Sequence, residues 1–237
     1  GRRHGGAIQP DAERETGAVA VESAVGEGSR FTVWLPMRAN SNAAAESSKT
    51  PDTVRPAVPF GKRTALHHLI SAGNLGFAAW RDGGFTVHDL SDPPNPKLLS
   101  HRNYAPPFGG GAHTPLPLPK RKLLALADEA TSANCANGLA YTWLIDVRDP
   151  SNPVSIATLP TPAEEDFCAK GAKFGPHNLH ENRPGALQSE DLLFATYHNA
   201  GLRIYDIRDA FAPKQVDYYV PPPPERIVDQ RPNPAKV

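Results

Sequence analysis

The stretch LGFAAWRDGGFTVHDLSD (75–92) lies over LLFATYHNAGLRIYDIRD (192–209) without a gap, matching Leu75 with Leu192, Phe77 with Phe194, Gly84 with Gly201, Asp89 with Asp206 and Asp92 with Asp209. A third copy sits between them as LLALADE (123–129), an inserted loop and YTWLIDVRDPSNP (141–153). Asp89, Asp146 and Asp206 therefore recur at spacings of 57 and 60 residues, and a near-constant period of this length marks repeated structural units. Each unit reads as a strand entered near a His, an apolar strand, a Gly or Asn turn, an alternating strand ending in Asp, a Pro-marked turn and a last short strand. Four strands per repeat predict an all-β chain of propeller-like blades. Three blades are recognisable, fewer than the four to eight of closed propellers, so the ring is expected to be incomplete or open.

The strand ends HDLSDPPNP, IDVRDPSNP and YDIRDAFAP share D-x-x-D with a following Pro. Asp in that place bonds nearby backbone N–H groups and Pro presets the turn, which favours a structural role over calcium binding. Composition agrees with a turn-rich fold: 26 Pro and 19 Gly in 237 residues leave little room for long helices. Lys+Arg 25 against Asp+Glu 25 removes the basic footprint expected of a nucleic-acid partner. Apolar runs such as GLAYTWLIDV are far shorter than the roughly 20 residues of a membrane helix, so a soluble chain without a membrane partner is expected. Cys135 and Cys168 lie outside any CxxC pattern, which argues against a zinc cluster or a disulfide scaffold and leaves a single bridge between them open.

Outside the repeats the chain changes character. Residues 38–62, RANSNAAAESSKTPDTVRPAVPFGK, have the composition of a flexible linker, and the folded unit is expected to begin near Arg63 and run to about 224, followed by a Pro-rich tail at 225–237. Within 4–36, HGGAI followed by VAVESAVGEGSRFTVWLP resembles the last strands of the ATPase domain of sensor histidine kinases. The resemblance implies a short β-hairpin-like tail over 1–37 without ATP binding, because the Asn-bearing helix and glycine-rich boxes that hold nucleotide in that family are missing from this chain. The only Met, Met37, is the expected native start, and no secretory signal is read, so the compartment stays open.

Over about 65–224 the repeats resemble the LVIVD-repeat β-propeller family, whose naming strand is seen here in LRIYD, WLIDV and FTVHD. GPHNLHENRPG, FATYHNAGLRIYDIRD and YYVPPPP are the most specific stretches. The resemblance implies a fold rather than a reaction. With three blades in view, a second copy of the chain is one way to complete the ring, and an exposed sheet edge would favour such association.

The repeat register also aligns residues able to do chemistry. His68, His113 and His177 each open the first strand of a blade, the strand that lines a propeller channel, so three imidazoles are expected to face one axis. A second column, one residue past Trp80, Asp128 and Tyr197, holds Arg81, Glu129 and His198. Imidazoles with a carboxylate suit zinc, copper or iron, whereas calcium would draw more oxygens from Asp128, Glu129, Glu181, Asn178 or carbonyls. The expected metal ligands are thus His68, His113, His177 and Glu129, with Glu129 and His198 as catalytic candidates and a divalent metal, calcium, zinc or copper, as cofactor. The same histidines could instead bond the backbone of a neighbouring blade and fix blade packing.

His67 and His180 are weaker candidates, one for its neighbour His68 and the other because residues three apart on a strand face opposite sides. His4, His88 and His101 fall in neither column. HNLHE (177–181) has the wrong spacing for a zincin, Glu129 and Glu181 form the nearest carboxylate pair for glycoside hydrolysis, and FGGGAHT (108–114) lacks the following helix of a phosphate cradle.

Three functions compete. A metal-dependent hydrolase of a small ester or lactone, with its site at the propeller axis, parallels the propeller lactonases of the paraoxonase and gluconolactonase type, although their sites are richer in Asn, Asp and Glu than in His. A copper-type oxidase or metal-binding propeller parallels selenium-binding protein and methanethiol oxidase, and a non-enzymatic binding scaffold is the third. The small-molecule hydrolase is the favoured expectation.

Overall fold

The computed structural model describes residues 18–24, 28–34, 64–105, 107–108 and 111–222. The linker at 38–62 and the tail at 225–237 lie outside the described residues. The chain divides into two compact units, one of Gly1–Arg55 with Leu90–Pro96 and one of Pro56–Asp89 with Lys97–Val237. In the first, strands β1 (Ala18–Ala24) and β2 (Gly28–Trp34) pair antiparallel, with Ala18 opposite Trp34 and Ala24 opposite Gly28. This is the hairpin expected of the tail.

The second unit is all-β and holds three four-stranded antiparallel sheets, each a meander in chain order. Blade 1 is β3 (His68–Ala72), β4 (Leu75–Ala79), β5 (Phe85–Asp89) and β6 (Lys97–Arg102). Blade 2 is β7 (Ala112–Leu118), β8 (Leu123–Asp128), β9 (Thr142–Asp146) and β10 (Val154–Thr158). Blade 3 is β11 (Pro176–Leu179), β12 (Leu192–Tyr197), β13 (Gly201–Asp206) and β14 (Lys214–Tyr219), preceded by a 3-10 turn at Phe167–Lys170. The first strands gather at the centre, with β3 and β11 each packed against β7, which is buried along its whole length. Among the described residues no fourth such sheet closes the ring, and no helix is long and apolar enough to cross a membrane.

The repeat reaches down to local geometry. Each outer pair of strands slips register at the same point, between Val87 and His88, between Ser155 and Ala157 opposite Leu144 and Ile145, and between Ile204 and Tyr205. An extra residue on the last strand bends it, which increases twist and blunts the outer edge. Gly84 and Gly201 hold one repeat position at φ +79° and +73°, where a Cβ would collide with the carbonyl oxygens of Arg102 and Tyr219, so only glycine passes there. The D-x-x-D carboxylates hold turns: Asp149 accepts from the Ser151 amide at 2.9 Å and Asp209 from the Phe211 amide at 3.0 Å.

Period-2 alternation then builds the core. On blade 1, Phe77, Ala79, Phe85 and Val87 point to one side and pack with Leu124, Leu126, Trp143 and Ile145 of blade 2. Blade 2 sends Leu123, Ala125, Ala127 and Leu144 the other way, against Leu193, Ala195, Tyr197, Tyr205 and Ile207 of blade 3. Each fully buried Leu or Ile here stabilises by about 1.5–3 kcal/mol. The corresponding outer face of blade 3 differs, leaving Leu192, Leu202 and Val216 exposed.

Candidate metal centre

The inner strands deliver their histidines to one end of the blades, and their pairing shows which histidines are equivalent. His68 lies opposite Ala79 in blade 1, and Thr114 lies opposite Ala127 in blade 2. Ala79 and Ala127 share a repeat position, so His68 corresponds to Thr114, and the partner of His113 and His177 is His67. The spatial record agrees. The ring of His67 lies 3.8 Å from that of His113, His113 lies 4.5 Å from His177, and His177 lies 4.8 Å from His198. His68 sits apart, with Nε2 3.4 Å from Glu181 Oε1. The cause is a bulge: β7 slips register between Ala112 and Thr114, which turns His113 inward.

The second column converges on the same place. Glu129, almost wholly buried just past the end of β8, is held by its amide on the Gly111 carbonyl at 2.8 Å. His113 Nε2 lies 3.9 Å from Glu129 Oε2, while His177 Nε2 and His198 Nε2 lie 3.9 and 3.7 Å from Oε1. Arg81 Nη1 donates to Oε2, and Lys173 Nζ reaches Oε1 at 3.4 Å. Ligand atoms of His113, Glu129 and His177 all fall within 4.8 Å of one another, a group able to hold a metal ion. Of the residues expected from sequence, His113, His177, Glu129 and His198 come together and His68 does not. His67 and Lys173 join them, and Arg81, in the same column as Glu129 and His198, donates to the carboxylate.

Backbone geometry fixes the cations. Arg81 has φ +55°, a left-handed conformation uncommon outside glycine. It is held there by reciprocal hydrogen bonds with Ala112, each 3.0 Å, and by the Gly84 amide on its carbonyl at 3.1 Å. Such over-determined strain aims a side chain. Lys173 lies on a bridge to Ala133, next to the Asn134 amide donating to Ala172 at 3.1 Å. The disulfide Cys135–Cys168 ties these same two segments, resolving the bridge left open by sequence.

Burial, then the His67 and His177 rings, push His113 down to about 3 against the pull of Glu129. Burial, His177 and Lys173 lower His198 to about 4. Both are neutral imidazoles at pH 7, the form that ligates metals. For Glu129, burial pushes upward, but the hydrogen bond and charge of Arg81, with Lys173 and His113, outweigh it and hold the carboxyl at about 2. His113 Nδ1 lies 2.8 Å from Thr114 Oγ1, which is 3.3 Å from the His177 carbonyl oxygen, so the ring is fixed through Nδ1 with Nε2 turned to the Glu129 carboxylate. His198 Nε2 is buried without a hydrogen-bond partner.

Next to Glu129, Asp128 is buried and accepts from Trp143 Nε1 at 2.6 Å, yet burial raises its pKa to about 7. A folded pKa above the unfolded value means the native state holds the extra proton, so this group's stabilisation is complete below about pH 4 and is lost as pH rises toward 7. Asp128→Asn is expected to gain roughly 2 kcal/mol relative to the parent between pH 5 and pH 7, at about 1.4 kcal/mol per unit, in paired urea titrations. A difference that stays flat with pH would refute the assignment.

A separate cleft of about 650 Å3 opens toward the other end of the inner strands, lined by Ile70, Leu116, Lys120, Glu181 and Arg183 among others. Glu181 there accepts from Arg183 Nε at 2.8 Å and lies 3.4 Å from His68, whereas Glu129 stands among His113, His177 and His198. His180 bonds the Leu187 carbonyl at 2.9 Å. Comparison of the chain with protein-family models and with curated proteins gives no match.

Proposed function

We propose that the chain is a metal-dependent hydrolase of a small ester or lactone, with its metal centre on His113, His177 and Glu129. The observation that carries this is the convergence of His113, His177 and Glu129, whose ligand atoms all lie within 4.8 Å of one another, with both Nε2 atoms 3.9 Å from the carboxylate. The imidazole share favours zinc or copper over calcium. When bound, such an ion polarises a carbonyl and lowers the pKa of a water. Glu129, held near 2, serves as a ligand, and His198, whose buried Nε2 has no hydrogen-bond partner, is the group placed to orient the water or substrate beside it.

The test is metal analysis of the purified chain by plasma mass spectrometry, beside an ester and lactone panel with and without chelator. About one ion per chain and chelator-sensitive turnover are expected, with metal affinity falling roughly 10–100-fold in His113→Ala. Metal without ester cleavage, but with oxygen consumed alongside a thiol, would favour the copper oxidase. Neither metal nor turnover would leave the histidines as packing groups of a scaffold.

A further inference from the structure

Glu129 has more suitors than oxygens. Arg81 holds Oε2 and Lys173 approaches Oε1, while three imidazole nitrogens stand 3.7–3.9 Å away from the same two atoms. A cation on His113, His177 and a carboxylate oxygen would take over the negative charge that now holds Arg81 and Lys173, and would repel both. Counting the side chains of Arg81, Lys173 and Glu129 alone, the group carries a charge of +1, and a divalent ion raises it to +3. At short range and partial burial that charge is costly unless an anion joins it.

The layering suits such an exchange. The side chains of Glu129 and His113 are 10% and 5% exposed, whereas those of Arg81 and Lys173 are 22% and 43% exposed. Glu129 and His113 lie deep, His177 is 36% exposed, and Lys173 stands outermost, with Arg81 and Lys173 each on pinned backbone.

We propose that Glu129 acts as an exchange point: metal entry frees Arg81 and Lys173 to bind an anionic ligand, so that the site takes a divalent cation and an anion cooperatively. The substrate class that fits is a small ester or lactone carrying a carboxylate or phosphate group. This rests on the metal reading above and adds to it a coupling between two ligands.

The coupling is reciprocal and is measured without turnover. Zinc chloride is titrated calorimetrically into the full chain in sodium chloride and in sodium sulfate at matched ionic strength. Sulfate is expected to tighten zinc binding at least 5-fold. In Arg81→Met, zinc binds more tightly than to the parent in chloride, because its competitor for Glu129 is gone, and the sulfate effect falls below 2-fold. Zinc binding that is indifferent to sulfate in the parent chain overturns the coupling and leaves the metal reading intact. Absence of zinc binding in both salts overturns the metal reading and the coupling with it.

Discussion

Arg203→Ala is expected to lower stability by about 3–5 kcal/mol, read as a shifted urea midpoint with an unchanged slope. Arg203 lies in β13, wholly buried, on the face that blade 3 turns inward. Its Nε donates to the Ala200 carbonyl at 2.8 Å, and Nη1 reaches both oxygens of Glu164 at 2.9 and 2.8 Å. The guanidinium also stacks over Phe167 at 5.3 Å and Tyr218 at 4.5 Å. Truncation would leave a cavity at a fully buried place and take the charged partner from Glu164, which keeps the Gln215 amide at 2.8 Å. Nη2 has no hydrogen-bond partner, so the charge itself is imperfectly compensated. Arg203→Met, which keeps the bulk and discards the charge, should therefore lose less than half as much. Equal losses for the two variants would show that the ion pair, not the packing, dominates.

Reducing Cys135–Cys168 is expected to cost about 3–4 kcal/mol. The two residues are 33 apart, and closing a loop of that size removes roughly this much chain entropy from the unfolded state. Chemical denaturation with and without reductant, repeated on a Cys135→Ala, Cys168→Ala double variant, measures it. The double variant should match the reduced parent and show no response to reductant. An effect below about 1 kcal/mol would mean that the native loop is already held by the Ala133–Lys173 bridge and by Asn199, which donates to the Phe167 carbonyl at 2.8 Å. The bond also ties Lys173 to its neighbourhood, so reduction should weaken anion binding at the mouth more than metal binding below it.

The blades were legible because their signals are local: alternation, Gly turns and Asp-Pro ends repeat in Phe85–Asp89, Thr142–Asp146 and Gly201–Asp206 alike. The half of the site carried by those signals was legible too, since His113, His177, Glu129 and His198 stand in register. The blade 1 histidine was not. His67 and His68 are adjacent, and the choice between them turns on a bulge at His113 that leaves no trace in composition. Lys173 lies in no repeat column at all, and its place depends on the inserted loop of blade 2 meeting the connection to blade 3. Cys135 and Cys168 were visible as residues, but their pairing needs the distance between two loops, which only the fold provides.

That pairing changes what a protease can do. The bridged residues flank the whole β9–β10 hairpin, so the outer half of blade 2 belongs to a covalent ring rather than an open strand of chain. A single cut anywhere between Ala136 and Phe167 opens the ring without releasing a fragment. Both halves stay joined, with Glu129 on one side of the cut and Lys173 on the other, until the sulfurs part.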